Sequence, residues 1–335
     1  MEPSGERKNR ISRRDALCLF AALAAPRMTL AAANPIQRAI PRTGEKLPAL
    51  GLGTWQVLDV PPSGSEYDMA VAAVRSFLDS GGRVIDSSPM YGRSEERVGD
   101  ILSAIRPAMR PFLATKIWTT GRDAGKSQLA DSHRLLRARI LDLVEVHNLQ
   151  DLATQLATLR AAQEAGTVRY VGVTHYVASA HAELERVIQR ERPDFMQVNY
   201  SLAEPDAGAR LLPLARELGV AVLVNRPFTK GSMIDRAAGH SLPPVAAELG
   251  CRSAAQLFVK WVLGDPAVTV VLTGTRNPRH AAENLEAASG TTPDPAQRKG
   301  RSRAGSQRSE PRVLSLAAIR ILAAPRNRIP ARSPQ

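Results

Sequence analysis

Cysteine is nearly absent from this chain, with only Cys18 and Cys251 among 335 residues. A disulfide framework is excluded, and removal of a leader carrying Cys18 would leave a single thiol without a partner. Aromatic residues are scarce at 4%, three of them tryptophan. No apolar run approaches the roughly 20 residues that a membrane-spanning helix needs, and the stretch from Ala16 to Ala25 is far shorter. Acidic residues are outnumbered 32 to 45, for a net charge of +13. That excess sits at the ends: residues 1–33 hold three more basic than acidic side chains and residues 298–335 hold nine more. The body between them is close to neutral, which argues against a nucleic-acid-binding face.

Each end has its own character. Arg7, Lys8, Arg10 and the pair Arg13-Arg14 precede the apolar stretch, and Ala31-Ala32-Ala33 offers a small-residue cleavage site before Asn34. This is the layout of an export signal. Residues 12–17 resemble a twin-arginine signal, a receptor-read address that sends folded proteins across a bacterial inner membrane. The expectation is a leader over residues 1–33, the export machinery as a partner, no stable membrane span after cleavage, and a periplasmic or otherwise exported product. With the signal unused, the product stays cytoplasmic. From residue 291 to 335 the apolar periodicity fades into Arg, Ser, Ala, Pro and Gly, with little to bury. This segment is expected to be disordered: a basic arm for an anionic partner or, as the abrupt change of composition favours, the product of a shifted reading frame.

Between the ends, short apolar strands alternate with helix-patterned stretches. Strands are expected at Leu50–Gly53, Val84–Asp86, Phe112–Thr115, Leu143–Val146, Val171–Val173, Met196–Val198, Ala221–Val224 and Val268–Leu272. Helical patterns lie between them, among them Asp68–Ser80, Ser94–Ile105 and Leu156–Glu164. Eight strand-then-helix units are the signature of a (β/α)₈ TIM barrel. Arg42 to Lys46 forms a turn, so a short N-terminal β-hairpin is expected across the barrel floor. The barrel domain is expected over residues 34–290.

Polar residues stand where these apolar strands stop. Asp86 follows Val84-Ile85, Lys116 follows Phe112–Thr115, and His147 follows Leu143–Val146, with Tyr91 just beyond Asp86. In a parallel barrel such positions converge on one face. A phenol is a poor proton donor at its ordinary pKa of about 10. A neighbouring ammonium lowers that value, and a carboxylate keeps the ammonium charged. Asp86, Lys116 and Tyr91 would form such a relay, while His147 holds a carbonyl oxygen beside the phenol. This arrangement suits carbonyl reduction.

In Gly51-Leu52-Gly53-Thr54-Trp55, Asp86…Tyr91-Gly92, Ala114-Thr115-Lys116, Val146-His147-Asn148, Gly172-Val173-Thr174, Gln197-Val198-Asn199-Tyr200, Gly274 to Pro278 and Glu283-Asn284, the chain resembles the aldo/keto reductases. These are barrels that use NADP(H) without a metal. The resemblance implies a catalytic set of Asp86, Tyr91, Lys116 and His147 and a small-molecule carbonyl substrate. It implies cofactor contacts from Gly53, Thr54, Thr174, His175, Gln197, Arg226, Thr275, Arg276, Arg279, Glu283 and Asn284. Arg276 is the choice for the 2′-phosphate, which favours NADP(H) over NAD(H). His175 stands where the family usually has asparagine, and Arg226 where many members stack an aromatic ring on the nicotinamide. Trp55, Trp118 and Asn148 are expected in the substrate pocket. The rival reading is a non-catalytic NADP(H)-binding redox sensor or regulatory subunit on the same barrel; a third is a truncated product lacking the family's C-terminal substrate loop.

Overall fold

The computed structural model describes residues 34–298; the leader expected over residues 1–33 and the tail from residue 299 onward lie outside the described residues. The chain opens with the expected hairpin, β1 (Gln37–Ala39) against β2 (Lys46–Pro48), antiparallel with Ala39 opposite Lys46. Gly44 makes the turn possible: its φ is +75°, a left-handed value that costs glycine little.

Eight parallel strands then close into a barrel: β3 (Leu50–Gly53), β4 (Val84–Asp86), β5 (Phe112–Ile117), β6 (Leu141–His147), β7 (Val168–His175), β8 (Phe195–Asn199), β9 (Ala221–Asn225) and β10 (Val268–Thr273). Strand β10 pairs with β3 to complete the circle. The connecting helices are α1 (Ser65–Asp79), α2 (Ser94–Ile105), α3 (Arg122–Leu135), α4 (Leu152–Glu164), α5 (His181–Glu191) and α6 (Leu211–Glu217). Past β9 come α7 (Ser232–Ala237), α8 (Pro244–Glu248) and α9 (Ala254–Leu263), and past β10 come α10 (Pro278–Ala287) and α11 (Pro295–Arg298). Two strands end where the sequence places them, and the other six run one or more residues longer.

Alternation along each strand divides the core in two. Val84, Phe112, Ala114, Leu143, Tyr170, Phe195, Ala221, Leu223, Val270 and Leu272 fill the barrel interior, and Ile40 and Leu47 of the hairpin plug its floor. Residues between them in sequence, such as Ile85, Leu113, Val144 and Val171, face outward and pack with the helices. Gly51 lets the interior close, because a Cβ there would lie 2.8 Å from Leu272. Tyr170, Phe112 and Phe195 stack at the bottom with ring centroids 5.4–6.0 Å apart.

The ordered chain continues past residue 290, into what composition alone assigns to the tail. Helix α11 packs on the barrel's outer face: Trp261 Nε1 donates to the Arg298 carbonyl at 3.0 Å, and the Arg298 guanidinium lies 4.6 Å from the Trp261 ring. Lys260 Nζ donates to the Ser289 and Thr291 carbonyls. No helix among the described residues is long and apolar enough to cross a membrane.

Candidate active site

The apolar barrel interior ends in a polar layer, and strand alternation builds it. Two residues beyond inward-facing Val84 is Asp86; two beyond Ala114 is Lys116; two beyond Leu143 is Glu145, and then His147; two beyond Phe195 is Gln197. Strand register places Lys116 beside Glu145 and Glu145 beside Gly172. Tyr91 comes from the loop after β4, where its N–H donates to the Ser88 carbonyl. The next residue, Gly92, has φ +61° and lies so close to Asp59 that a Cβ would sit 2.3 Å from a carboxylate oxygen. The left-handed backbone favours glycine there, and any side chain would also have to displace the Asp59 carboxylate.

Lys116 is fully buried and spends its three N–H groups nearby. They go to both Asp86 oxygens, at 2.7 and 2.9 Å, and to the Ser87 carbonyl at 2.8 Å. Its Nζ lies 5.2 Å from the centre of the Tyr91 ring. Burial alone would push this ammonium down, but the charge and hydrogen bonds of Asp86 more than offset it and hold Lys116 above the ordinary lysine range. Tyr91 differs from the expectation of a lowered phenol. Burial raises it further than Lys116 lowers it, with the charge of Asp86 adding to the rise. The side chain is therefore a neutral phenol at physiological pH, with a proton to give.

His147 is nine-tenths buried, and burial, then Lys116 and His175, lower its imidazole to about 3. It is neutral at any working pH. Ser88 Oγ lies 3.3 Å from its Nδ1 and already accepts the Met90 N–H at 3.2 Å. The serine hydroxyl is thus free to donate to Nδ1, and with that bond made the imidazole proton is on Nε2. The rings of Tyr91 and Trp118 flank the imidazole with centroids 6.2 and 6.5 Å away.

Above this layer opens a cavity of about 1060 Å³ running from Tyr91, His147 and Trp118 across to Thr275 and the start of α10. A family model for the aldo/keto reductase family matches residues 49–295.

This chain belongs to the aldo/keto reductase family.

The aldo-keto reductase YhdN of Bacillus subtilis (strain 168) is 23% identical over 279 residues, spanning 70% of this chain and 83% of that protein. An aldo-keto reductase of Mycobacterium sp. (strain KMS) is 28% identical over 255 residues, spanning 72% and 84%. Among solved structures, an aldo-keto reductase from Klebsiella pneumoniae in complex with NADPH superposes with a TM-score of 0.64 at 26% identity, covering 76% of this chain and 89% of that one. The glycerol dehydrogenase of Gluconobacter oxydans, at 21% identity and a TM-score of 0.65 over 81% and 94% of the two chains, shares the fold.

Most residues that the aldo/keto reductase resemblance selects meet in this one cavity. Asp86, Tyr91 and His147 line it with Trp55, Trp118 and Asn148, and Lys116 lies directly behind Asp86. Gly53, Thr54, Thr174, Gln197, Arg226, Thr275, Glu283 and Asn284 also line it. Three expected cofactor residues do not. His175 turns away, stacking on Tyr176 at 5.6 Å while its Nδ1 accepts the Tyr176 N–H. Arg276 pairs instead with Glu66 at 3.1 Å, and Arg279 stays outside the lining while His280 of the same helix enters it. The physical reason is helical: Pro278 starts α10 and Asn277 caps it by accepting the Arg279 N–H, so neighbours in sequence face different ways.

Arg226 reaches the cavity with its face already occupied. Its guanidinium lies 4.2 Å from the centre of the Tyr176 ring, and its own φ is 55°. Tyr176, just past the end of β7, thus covers one face of the guanidinium. Tyr176, Ser88, Asn225 and Glu145 are the site residues that motif reading misses. Ser88 stands within the quoted Asp86–Gly92 segment, and Glu145 is found by counting every second residue from Leu143.

The cavity also bears on the cofactor. Gln197, Asn148, Thr174 and Asn225 all line it, and their amide and hydroxyl groups supply both donors and acceptors, the set that a carboxamide such as that of nicotinamide requires. Gly274 adds room, since a Cβ there would lie 3.1 Å from the Gly53 carbonyl.

Proposed function

We propose that this protein is an NADP(H)-dependent carbonyl reductase, turning an aldehyde or ketone into an alcohol. The observation that carries the reading is the convergence of a neutral, partly exposed phenol, a neutral imidazole and the Asp86–Lys116 pair on one cavity. Gln197, Asn148, Thr174 and Asn225 would hold the nicotinamide end, with Arg226 alongside, and Thr275, Glu283 and Asn284 the adenosine end. The bound dinucleotide supplies the hydride. His147 Nε2 donates a hydrogen bond to the carbonyl oxygen and fixes the orientation of the substrate, and Tyr91 passes its proton to that oxygen as negative charge gathers there. Lys116, kept charged by Asp86, stabilises the phenolate that is left. Trp55, Trp118 and Met90 wall the approach.

The test is NADPH oxidation followed by absorbance against a panel of aldehydes and ketones. Turnover that Tyr91→Phe abolishes supports the reading. Tight cofactor binding with no turnover on any carbonyl would replace it with the sensor reading. The same proposal includes export: the twin-arginine-type leader suits a protein folded around its cofactor before transport, and a periplasmic form purified free of nucleotide would count against this.

A further inference from the structure

Glu145 has no part in the mechanism above, yet it is completely buried at its centre. From β5 it faces Lys116, whose Nζ is 3.9 Å from Oε2, and from β4 it faces the carboxylate of Asp86 across the shared Gln197 amide. Tyr91 lies beyond Lys116, and His147 is the next inward residue of its own strand. On β7 the register partner is Gly172, where a Cβ would fall 2.9 Å from Glu145 Cγ. The barrel thus leaves space for this side chain.

The hydrogen bonds show the form in which Glu145 sits. Lys116 Nζ bonds to Asp86 and Ser87 at 2.7–2.9 Å, whereas Glu145 Oε2 stands 3.9 Å from it, beyond hydrogen-bond reach. The Gln197 amide gives one N–H to Asp86 Oδ1 and the other to Glu145 Oε2, both at 3.0 Å, while its carbonyl accepts from Asn225 at 3.2 Å. Glu145 Oε1 is buried with no donor. An ionised carboxylate would have one neutral hydrogen bond, one orphaned oxygen and a second carboxylate close by; an acid carrying its proton is much cheaper to bury. Burial, and with it the charge of Asp86, pushes the carboxyl well above its ordinary range against the pull of Lys116.

We propose that Glu145 is a positioning residue that works as the neutral acid, fixing with Asp86 the direction in which the Gln197 amide meets the nicotinamide end of the cavity. The proposal rests on the NADP(H) reading for its ligand, and its test separates the two. Glutamine is isosteric with the neutral acid. Glu145→Gln should therefore keep NADP⁺ affinity, measured by calorimetry, within about twofold of the unaltered protein, whereas Glu145→Leu, which strands a Gln197 N–H, should weaken it about tenfold. The fragment 2′-phospho-ADP-ribose lacks nicotinamide and should bind all three proteins alike. The infrared difference between the unaltered protein and Glu145→Gln at neutral pH should contain a protonated-carboxyl C=O band. Carboxylate bands in its place, equal losses of NADP⁺ affinity in both variants, or full affinity in Glu145→Leu would each overturn the proposal. If Glu145→Leu does not fold, the Gln variant and the infrared band decide it. If neither NADP⁺ nor the fragment binds the unaltered protein, the NADP(H) reading fails, while the band still rules on Glu145.

Discussion

The two ends of the cavity are built by different means. At the Asp86–Lys116 end most side chains come from strands and hold one another through short bonds: Lys116, Asp86 and Gln197 are all 3% exposed or less, while Tyr91 enters from a loop. At the α10 end they come from a loop and the first turns of that helix, and Arg276, just outside the lining, is about a third exposed and paired with a half-exposed Glu66. Parallel strands fix direction by register, so a side chain's aim follows from its position in the alternation. A helix start fixes a backbone and leaves long side chains free to choose partners. Chemistry is therefore written into the barrel, and recognition is left to its surface.

The largest effects should fall at the buried end. Tyr91→Phe removes the only phenol beside His147 and Lys116, and should cut carbonyl reduction by about 10²- to 10⁴-fold. Cofactor affinity should barely change, since the ring stays in place. An absorbance assay paired with a binding titration checks both halves; a parallel loss of binding would mean that the phenol is structural.

The same contrast appears in stability. Lys116→Met leaves Asp86 as a buried carboxylate facing little more than the Gln197 amide, and should cost about 3–5 kcal/mol in denaturant unfolding. Arg276→Met breaks a solvent-exposed pair and should cost less than about 1 kcal/mol. Equal costs would erase the distinction between the two ends. Exchanging Lys116 and Asp86 together for apolar residues should recover much of the first loss, because removing a whole buried pair is far milder than halving it.

Protonation of His147 gives a third, smaller handle. Its folded value of about 3 lies below the ordinary histidine value of about 6.5. Above pH 6.5 the ring is neutral whether the chain is folded or not, so it makes no difference to stability. As the pH falls from about 6.5 to about 3 the unfolded chain gains a proton that the folded one refuses, and stability should drop by up to about 1.4 kcal/mol per pH unit. His147→Gln should lack this component, so urea midpoints of the two proteins should converge on acidification. Parallel pH curves would show that the imidazole is not held neutral.

How much of this is legible in the sequence follows the same divide. Apolar strands of three to eight residues declare the barrel, and Asp86, Lys116 and His147 stand out because each stands at or near the end of one. Glu145 is equally informative but sits inside an apolar run, where its meaning emerges only when Leu143, Glu145 and His147 are counted as one face. At the other end, proximity in sequence misleads. Arg276, Arg279 and His280 lie within five residues, yet the cap at Asn277 sends only His280 into the cavity lining. The tail shows the limits of composition: Arg298 looks like the first of a run of surface charges, but the ring of Trp261, 37 residues earlier, gives it a place to pack.

Arg276 offers the finest test of the comparison. Its pair with Glu66 is exposed and worth little, so turning the guanidinium toward a phosphate costs little, while an arginine–phosphate fork is strong. If the loop end reads the 2′-phosphate, Arg276→Ala should lower the preference for NADPH over NADH by about tenfold. Glu66→Gln should leave that preference within about twofold, because Glu66 only holds the arginine in waiting. Dissociation constants for both cofactors check this directly. A preference that survives Arg276→Ala and falls with His280→Ala would move phosphate recognition to the one residue of that turn that already faces the cavity.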